Sequence, residues 1–196
     1  MKERKTDEVG VPMVSLENRV RDILVVEDDT MLRNFVVGAL KREGYNVVST
    51  ATAKDAYTHI MNSINPYSDA TPYFDVIISD DQLGDGNGSE LLLECRQRYK
   101  KLDSTYMLLM SGTYRDDKKD EGLQRLRERG IDYLCKVDGR VIERIKEMIK
   151  TNAQTYFAEI LAKEKQKQSV QLPPTNLTSP YQQQAVKVPL GPITSE

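Results

Sequence analysis

Tryptophan is absent from this 196-residue chain, and cysteine and histidine are scarce, with 2 and 1 respectively. Cys95 and Cys135 stand far apart, form no CxxC pair and have no histidine nearby, which excludes a sequence-readable zinc site or disulfide scaffold. They read as small buried hydrophobes. His59 falls inside a helical stretch with no acid or metal ligand at a matching spacing, so it reads as a surface residue. No apolar run approaches the length of a membrane-spanning helix. The charged opening has no apolar stretch behind it, so no secretory signal is expected. An excess of charge of one sign is also lacking: 28 Lys+Arg face 30 Asp+Glu, a net charge of −2. That balance gives no electrostatic reason for non-specific binding to nucleic acid or anionic membranes. With 39% hydrophobic and 30% charged residues, the composition predicts a soluble globular protein of a reducing cytoplasm.

Composition divides the chain into parts. Residues 1–21 are polar and charged and read as a flexible leader. Residues 22–150 alternate short β-branched apolar runs with amphipathic stretches, residues 151–167 continue as a helical extension, and 168–196 hold five of the 8 prolines. The last segment cannot bury enough apolar surface to offset its ordering entropy, so it is expected to be a disordered tail. Inside the middle block the pattern predicts strands over 22–27, 46–49, 74–79, 105–110 and 131–135. Helices are predicted over 30–42, 53–64, 89–99 and 117–129, and a last one from about Gly139. The first helix carries Leu32, Phe35, Val36, Ala39 and Leu40 at helical spacing, and Gly44 stops it. Residues 65–71 read as a long loop. Five strand–helix repeats argue an α/β fold, a doubly wound five-stranded parallel sheet covered on both faces. In such sheets a ligand site lies beyond the carboxyl ends of the strands.

Those ends are rich in chemistry. Glu27, Asp28 and Asp29 follow the first apolar run, Asp80 and Asp81 the third, Ser111 the fourth and Lys136 the fifth. Clustered carboxylates repel unless a cation neutralises them, and an all-oxygen set suits a hard ion such as Mg2+ or Mn2+. A carboxylate beside such an ion can attack phosphorus, with a hydroxyl and an ammonium holding the equatorial oxygens. The residue types therefore point to phosphoryl chemistry on an aspartate. Asp29 and Asp81 read as ordinary surface acids, Asp29 as a helix cap.

The runs ILVVEDD, DVIISDDQLGDGNGSELL, MLLMSGT and DYLCK, in that order, give a more specific indication. Over residues 22–150 the sequence resembles the receiver domain of two-component response regulators, of the stand-alone, chemotaxis-regulator-like kind. The resemblance implies a flavodoxin-like strand order 2-1-3-4-5 and Asp80 as the phosphoacceptor. It implies Mg2+ held by Glu27 (directly or through water), Asp28, Asp80 and the backbone carbonyl of Gln82. It also implies Ser111 as the switch hydroxyl, Tyr133 as the aromatic switch residue and Lys136 as the lysine that contacts the phosphoryl group. A half-buried structural tyrosine is the plainer reading of Tyr133. The implied partners are a sensor histidine kinase or histidine phosphotransfer protein and a downstream protein, with no direct binding of DNA and no membrane. His59 does not make the chain itself a histidine phosphotransfer protein.

The sequence departs from the family pattern in places. Val137 stands where proline usually follows the lysine, so a trans bond is expected there. Glycines replace proline in the loop 83–88, which is expected to be more flexible, and Asp81 is an extra acid. Alternatives are a degenerate receiver acting as a docking module, and a haloacid-dehalogenase-like phosphatase. The first would lack an acceptor, acid pair or lysine; the second would show a D-x-D pattern that Asp80-Asp81-Gln82 lacks. Finally, Ile145, Ile149, Ala153, Tyr156 and Ile160, widened by Phe157 and Leu161, form an apolar stripe running past the expected end of the sheet. Left exposed, it predicts a homodimer through the C-terminal helix, the competing expectation being that the extension folds back on its own domain.

Overall fold

The computed structural model describes residues 20–65, 73–113, 120–137 and 139–171. Residues 1–19 of the leader, the loop 66–72, the segment 114–119, residue 138 and the tail from 172 lie outside the described residues.

Five apolar runs form one parallel sheet: β1 (Asp22–Val26), β2 (Asn46–Thr50), β3 (Val76–Asp80), β6 (Tyr106–Ser111) and β7 (Ile131–Cys135), in spatial order β2-β1-β3-β6-β7. A separate antiparallel ladder, β4 (Gln82–Leu83) with β5 (Gly86–Asn87), occupies the loop after β3. Setting that ladder aside, the order is the expected 2-1-3-4-5. Successive residues of each strand enter opposite faces. Ile23, Val25, Val76, Ile78, Leu108 and Met110 meet α1 (Thr30–Arg42) and α5 (Val141–Met148) on one face. Leu24, Val26, Ile77, Met107 and Leu109 meet α2 (Ala53–Ile64), α3 (Gly88–Arg98) and α4 (Glu121–Glu128) on the other. Burial on both faces is why the inner strands β1, β3 and β6 are rich in Val, Ile, Leu and Met, while the edge strands β2 and β7 are more polar and less buried.

Helix boundaries follow local chemistry. Asp29 Oδ1 accepts from Leu32 N at 2.8 Å and caps α1, as expected. Gly44, at φ +92°, ends α1 with its N–H on the Lys41 carbonyl. Asp120 caps α4 through Leu123 N, so that helix begins at Glu121, later than the sequence pattern predicts. The third strand starts at Val76 rather than at Phe74, which is buried just ahead of it. The last helix starts at Val141, two residues beyond Gly139.

The largest departure is at the C-terminal helix. Between α5 and α6 (Gln154–Gln171) residues Ile149–Ala153 form a π-helical turn. In a regular α-helix, positions repeating every four residues drift around the axis; the wider π turn takes up part of that drift. Ile145, Ile149, Ala153 and Phe157 therefore all enter the core. Asn152 Nδ2 donates to Asp132 Oδ2 at 2.8 Å, and the Tyr156 hydroxyl donates to the Asp103 carbonyl at 2.6 Å. The Tyr156 ring sits edge-on to Tyr106 and beneath the Arg96 guanidinium. Up to Phe157 the stripe packs on its own sheet, in line with the fold-back expectation, while Ile160 and Leu161 beyond it are half-buried. Phe35 is a correction: it is 59% exposed, while Val36, Ala39 and Leu40 supply the buried face of α1. Cys95 is fully buried as expected, and burial pushes its thiol up to about 12. Cys135 is only half-buried, and so is His59. Among the described residues no helix is long and apolar enough to cross a membrane.

Candidate functional site

The carboxyl ends of β1, β3, β6 and β7 meet at one rim, because all the strands of the sheet are parallel. Glu27 follows β1 with its main-chain N–H on the Thr50 carbonyl, and its side chain is 1% exposed. Asp28, the next residue, is exposed. Asp80 ends β3 opposite Met110 and is buried. Each of Glu27, Asp28 and Asp80 offers a carboxylate oxygen, and these oxygens lie within 4.8 Å of one another.

Lys136 follows β7, whose pairing with β6 continues through Lys136 N–H to the Ser111 carbonyl at 2.8 Å. Its ammonium reaches Asp80 Oδ2 at 2.8 Å and Glu27 Oε2 at 3.2 Å. Burial disfavours the Lys136 charge, but the hydrogen bond and charge of Asp80, and then Glu27, outweigh it and raise its pKa. Glu27 moves the other way from an ordinary carboxylate. Burial first, then the Asp80 charge, raise it to about 7 against the pull of Lys136. One cation is thus shared by two buried acids, with the exposed carboxylate of Asp28 beside them, and Glu27 Oε1 is buried without a hydrogen-bond partner. Three carboxylates with an orphaned buried oxygen fit a hard divalent cation.

Ser111 ends β6, is buried, and accepts from Thr113 N at 3.2 Å. Tyr133 on β7 is half-buried, and its hydroxyl donates to the Thr113 carbonyl at 2.5 Å. Gln82, in β4, is exposed on the loop that leaves Asp80. Of the seven sequence-predicted site residues, Glu27, Asp28, Asp80 and Lys136 form the carboxylate–ammonium cluster, Ser111 and Gln82 stand at the end of β6 and on the loop after β3, and Tyr133 lies within β7 opposite Leu109. A Cβ on Gly112 would meet nothing within 4 Å, in keeping with an open pocket beside Ser111. There is no cis peptide bond among the described residues.

Three residues that hold this site were not legible as such. Gly88 opens α3 directly against Asp80: a Cβ there would lie 1.8 Å from the Asp80 carbonyl oxygen and 2.4 Å from Ser79 Oγ. Asp85, between β4 and β5, accepts from Ala53 N at 2.7 Å and Lys54 N at 3.0 Å. It anchors the acceptor loop to the N-terminus of α2, so the glycine-rich segment is tethered where the sequence predicts flexibility. Those backbone hydrogen bonds hold the Asp85 carboxyl below the usual range. Arg33 donates to the main-chain carbonyls of Glu27 and Asp28. The signals were a glycine and an acid within a glycine-rich turn, and a cation one helical turn past the acids; none is distinctive without coordinates.

Solved structures share this architecture. A CheY-like response regulator receiver domain protein from Methanospirillum hungatei matches with a TM-score of 0.57 and 24% identity, covering 71% of this chain and 98% of that one. The phosphorylated cyanobacterial phytochrome response regulator RcpA matches with a TM-score of 0.55 and 18% identity, over 67% of this chain and 92% of its own. A Burkholderia pseudomallei response regulator, solved with a phosphorylated aspartic acid, calcium ion and citrate, matches at 0.51 and 21%, over 75% and 74%. At these identities the likeness establishes the fold. No curated protein sequence matches the chain. The sequence model of the response regulator receiver domain matches residues 23–150, well over half of the chain, and on that match the protein belongs to the response regulator receiver domain family.

Proposed function

We propose that this receiver domain accepts a phosphoryl group on Asp80 in a reaction that needs a divalent cation, and signals through protein contacts. The observation that carries the reading is the bridge of Lys136 to Asp80 and Glu27 beside the acid cluster. As a receiver domain the chain is a signalling module rather than a classical enzyme, and the family implies interaction with histidine kinases or phosphotransfer proteins. Glu27, Asp28, Asp80 and the carbonyl of Gln82 would hold Mg2+ or Mn2+, which when bound neutralises the acids and the incoming phosphoryl oxygens.

The chain's own groups would then act as follows. An Asp80 carboxylate oxygen attacks the phosphorus of a phosphohistidine. The P–N bond breaks, the imidazole leaves, and an acyl phosphate forms on Asp80. Lys136 moves from Asp80 Oδ2 to a phosphoryl oxygen, keeping its charge in a site that favours it. Ser111 Oγ accepts from Thr113, which leaves its own hydrogen to donate to the phosphoryl group. Because Tyr133 and Ser111 are tied to the same residue, a movement of Ser111 is transmitted to the Tyr133 ring and the outer surface of β7.

A docking face for the donor is at hand. Met31 and Phe35, one helical turn apart on α1, are 71% and 59% exposed, and Val137 beside Lys136 is 66% exposed. Such apolar side chains around a charged pocket suit a protein donor that covers the pocket. A haloacid-dehalogenase-like phosphatase is disfavoured because Gln82 stands where its second acid belongs. A degenerate docking module is disfavoured because the acceptor, acid pair and lysine are all present and converge. The test is incubation of the full chain with a small phosphodonor and Mg2+. A gain of one phosphoryl mass is expected, dependent on the cation; no gain with any donor overturns the reading.

A further inference from the structure

Resting on that metal-site reading, we propose that Arg33 is a positioning residue for the acid pair, fixing the loop that presents Glu27 and Asp28 to the cation. Arg33 Nη1 donates to the Glu27 carbonyl at 2.5 Å and the Asp28 carbonyl at 3.2 Å, and Nη2 to Thr30 Oγ1 at 3.3 Å. One guanidinium thereby fixes two successive peptide planes. The side chains leaving the same two residues take opposite environments, Glu27 buried and Asp28 exposed, yet their carboxylates converge with Asp80. A loop free to rotate about these peptides would separate them.

The placement of Arg33 supports the role because simple electrostatics opposes it. Asp29 caps α1, and Arg33 N–H donates to the Asp29 carbonyl, so Arg33 belongs to the first turn. A cation there faces the positive end of the helix dipole, and it lies close to where a divalent ion would bind. Helical side chains lean toward the N-terminus, which carries the guanidinium back over the loop. The carbonyl contacts are what offset the unfavourable charge. Nη1 alone meets both carbonyls while Nη2 holds Thr30 Oγ1, so a lysine, whose compact ammonium has three donors but no second nitrogen, keeps only part of this set of contacts.

The two effects of Arg33 have opposite signs, which makes the role testable. Loss of its charge alone would tighten cation binding; loss of its grip on the loop would weaken it. Mg2+ affinity of the full chain and of Arg33→Lys, Arg33→Gln and Arg33→Ala is measured by isothermal titration calorimetry, with thermal melts in chelator confirming a cooperative fold. Arg33→Gln and Arg33→Ala are expected to raise the Mg2+ Kd about tenfold, with Arg33→Lys in between. At saturating Mg2+ the variants are expected to recover most of the phosphorylation rate. An unchanged or lowered Kd in a cooperatively folded Arg33→Gln overturns the proposal. If Arg33→Gln and Arg33→Ala do not fold, Arg33→Lys decides, and an unchanged Kd overturns it. Failure of the unsubstituted chain to bind Mg2+ overturns the metal-site reading itself and this role with it.

Discussion

Ser111 and Tyr133 meet at a third residue: Thr113 donates its N–H to Ser111 Oγ at 3.2 Å and accepts the Tyr133 hydroxyl on its carbonyl at 2.5 Å. The switch hydroxyl and the switch aromatic are therefore coupled through one main-chain residue. Tyr133→Phe removes one hydrogen bond from a half-buried hydroxyl, so global stability is expected to change by less than about 1 kcal/mol. Amide hydrogen exchange over residues 111–113 is expected to accelerate. Exchange unchanged from the parent would show that Tyr133 does not hold this segment.

Gly88 and Gly112 flank the site with opposite demands. Gly88→Ala forces a methyl into the Asp80 carbonyl, a backbone atom that cannot yield without moving β3 or α3. A loss of about 3 kcal/mol or more is expected in urea denaturation. Gly112→Ala meets open space and is expected to stay within about 0.5 kcal/mol of the parent, while hindering phosphorylation. Equal stability of the two variants would contradict the close approach at Asp80.

The stripe that continues α5 is tested by Phe157→Ala. Phe157 is fully buried in the core cluster that also holds Ile145, Ile149 and Ala153. Its truncation is expected to destabilise the protein by about 3 kcal/mol or more, with no concentration dependence of the melt. A negligible loss would place Phe157 outside the core, and a melt that shifts with protein concentration would favour the dimer.

These comparisons show what the sequence made legible. The alternation of buried faces along β1, β3 and β6 is written in runs such as ILVV and VIIS, so the sheet and the acids at its rim could be read, while the strand order rested on the family resemblance. Spacing alone could not place Phe35, because α1 offers it the same periodicity as the buried Val36 and Leu40. Nor could it show whether Phe157 faced a second chain or its own sheet; that depends on a π turn with no local signature. Gly88, Asp85 and Arg33 act through close approach to, or hydrogen bonds with, main-chain atoms, which side-chain pattern does not encode.

The raised Glu27 predicts a particular pH dependence. Its ordinary value is 4.5, and burial, then the Asp80 charge, raise it to about 7 in the fold. The unfolded chain ionises this acid at lower pH than the folded one does. The stabilisation from its neutral form is therefore present below about 4.5 and lost as pH rises through about 7. In chelator, the melting temperature of Glu27→Gln is expected to gain on that of the parent across this window. Adding Mg2+, which favours the ionised acid, is expected to stabilise the parent more than the variant. Parallel melting curves across the window, with and without Mg2+, would contradict the burial of an uncompensated acid.

Asp80 as the sole acceptor is the claim on which the rest depends, and mass mapping of the phosphorylated chain tests it directly. Asp80 is buried beneath Lys136, whereas its neighbour Asp81 directs its main-chain N–H to the Met110 carbonyl and is half-buried. Full-length parent, Asp80→Asn and Asp81→Asn are incubated with a small phosphodonor and Mg2+, reduced with borohydride to trap the acyl phosphate, and digested. The account predicts modification at Asp80 in the parent and in Asp81→Asn, and none in Asp80→Asn. Modification that survives Asp80→Asn and disappears in Asp81→Asn would contradict it.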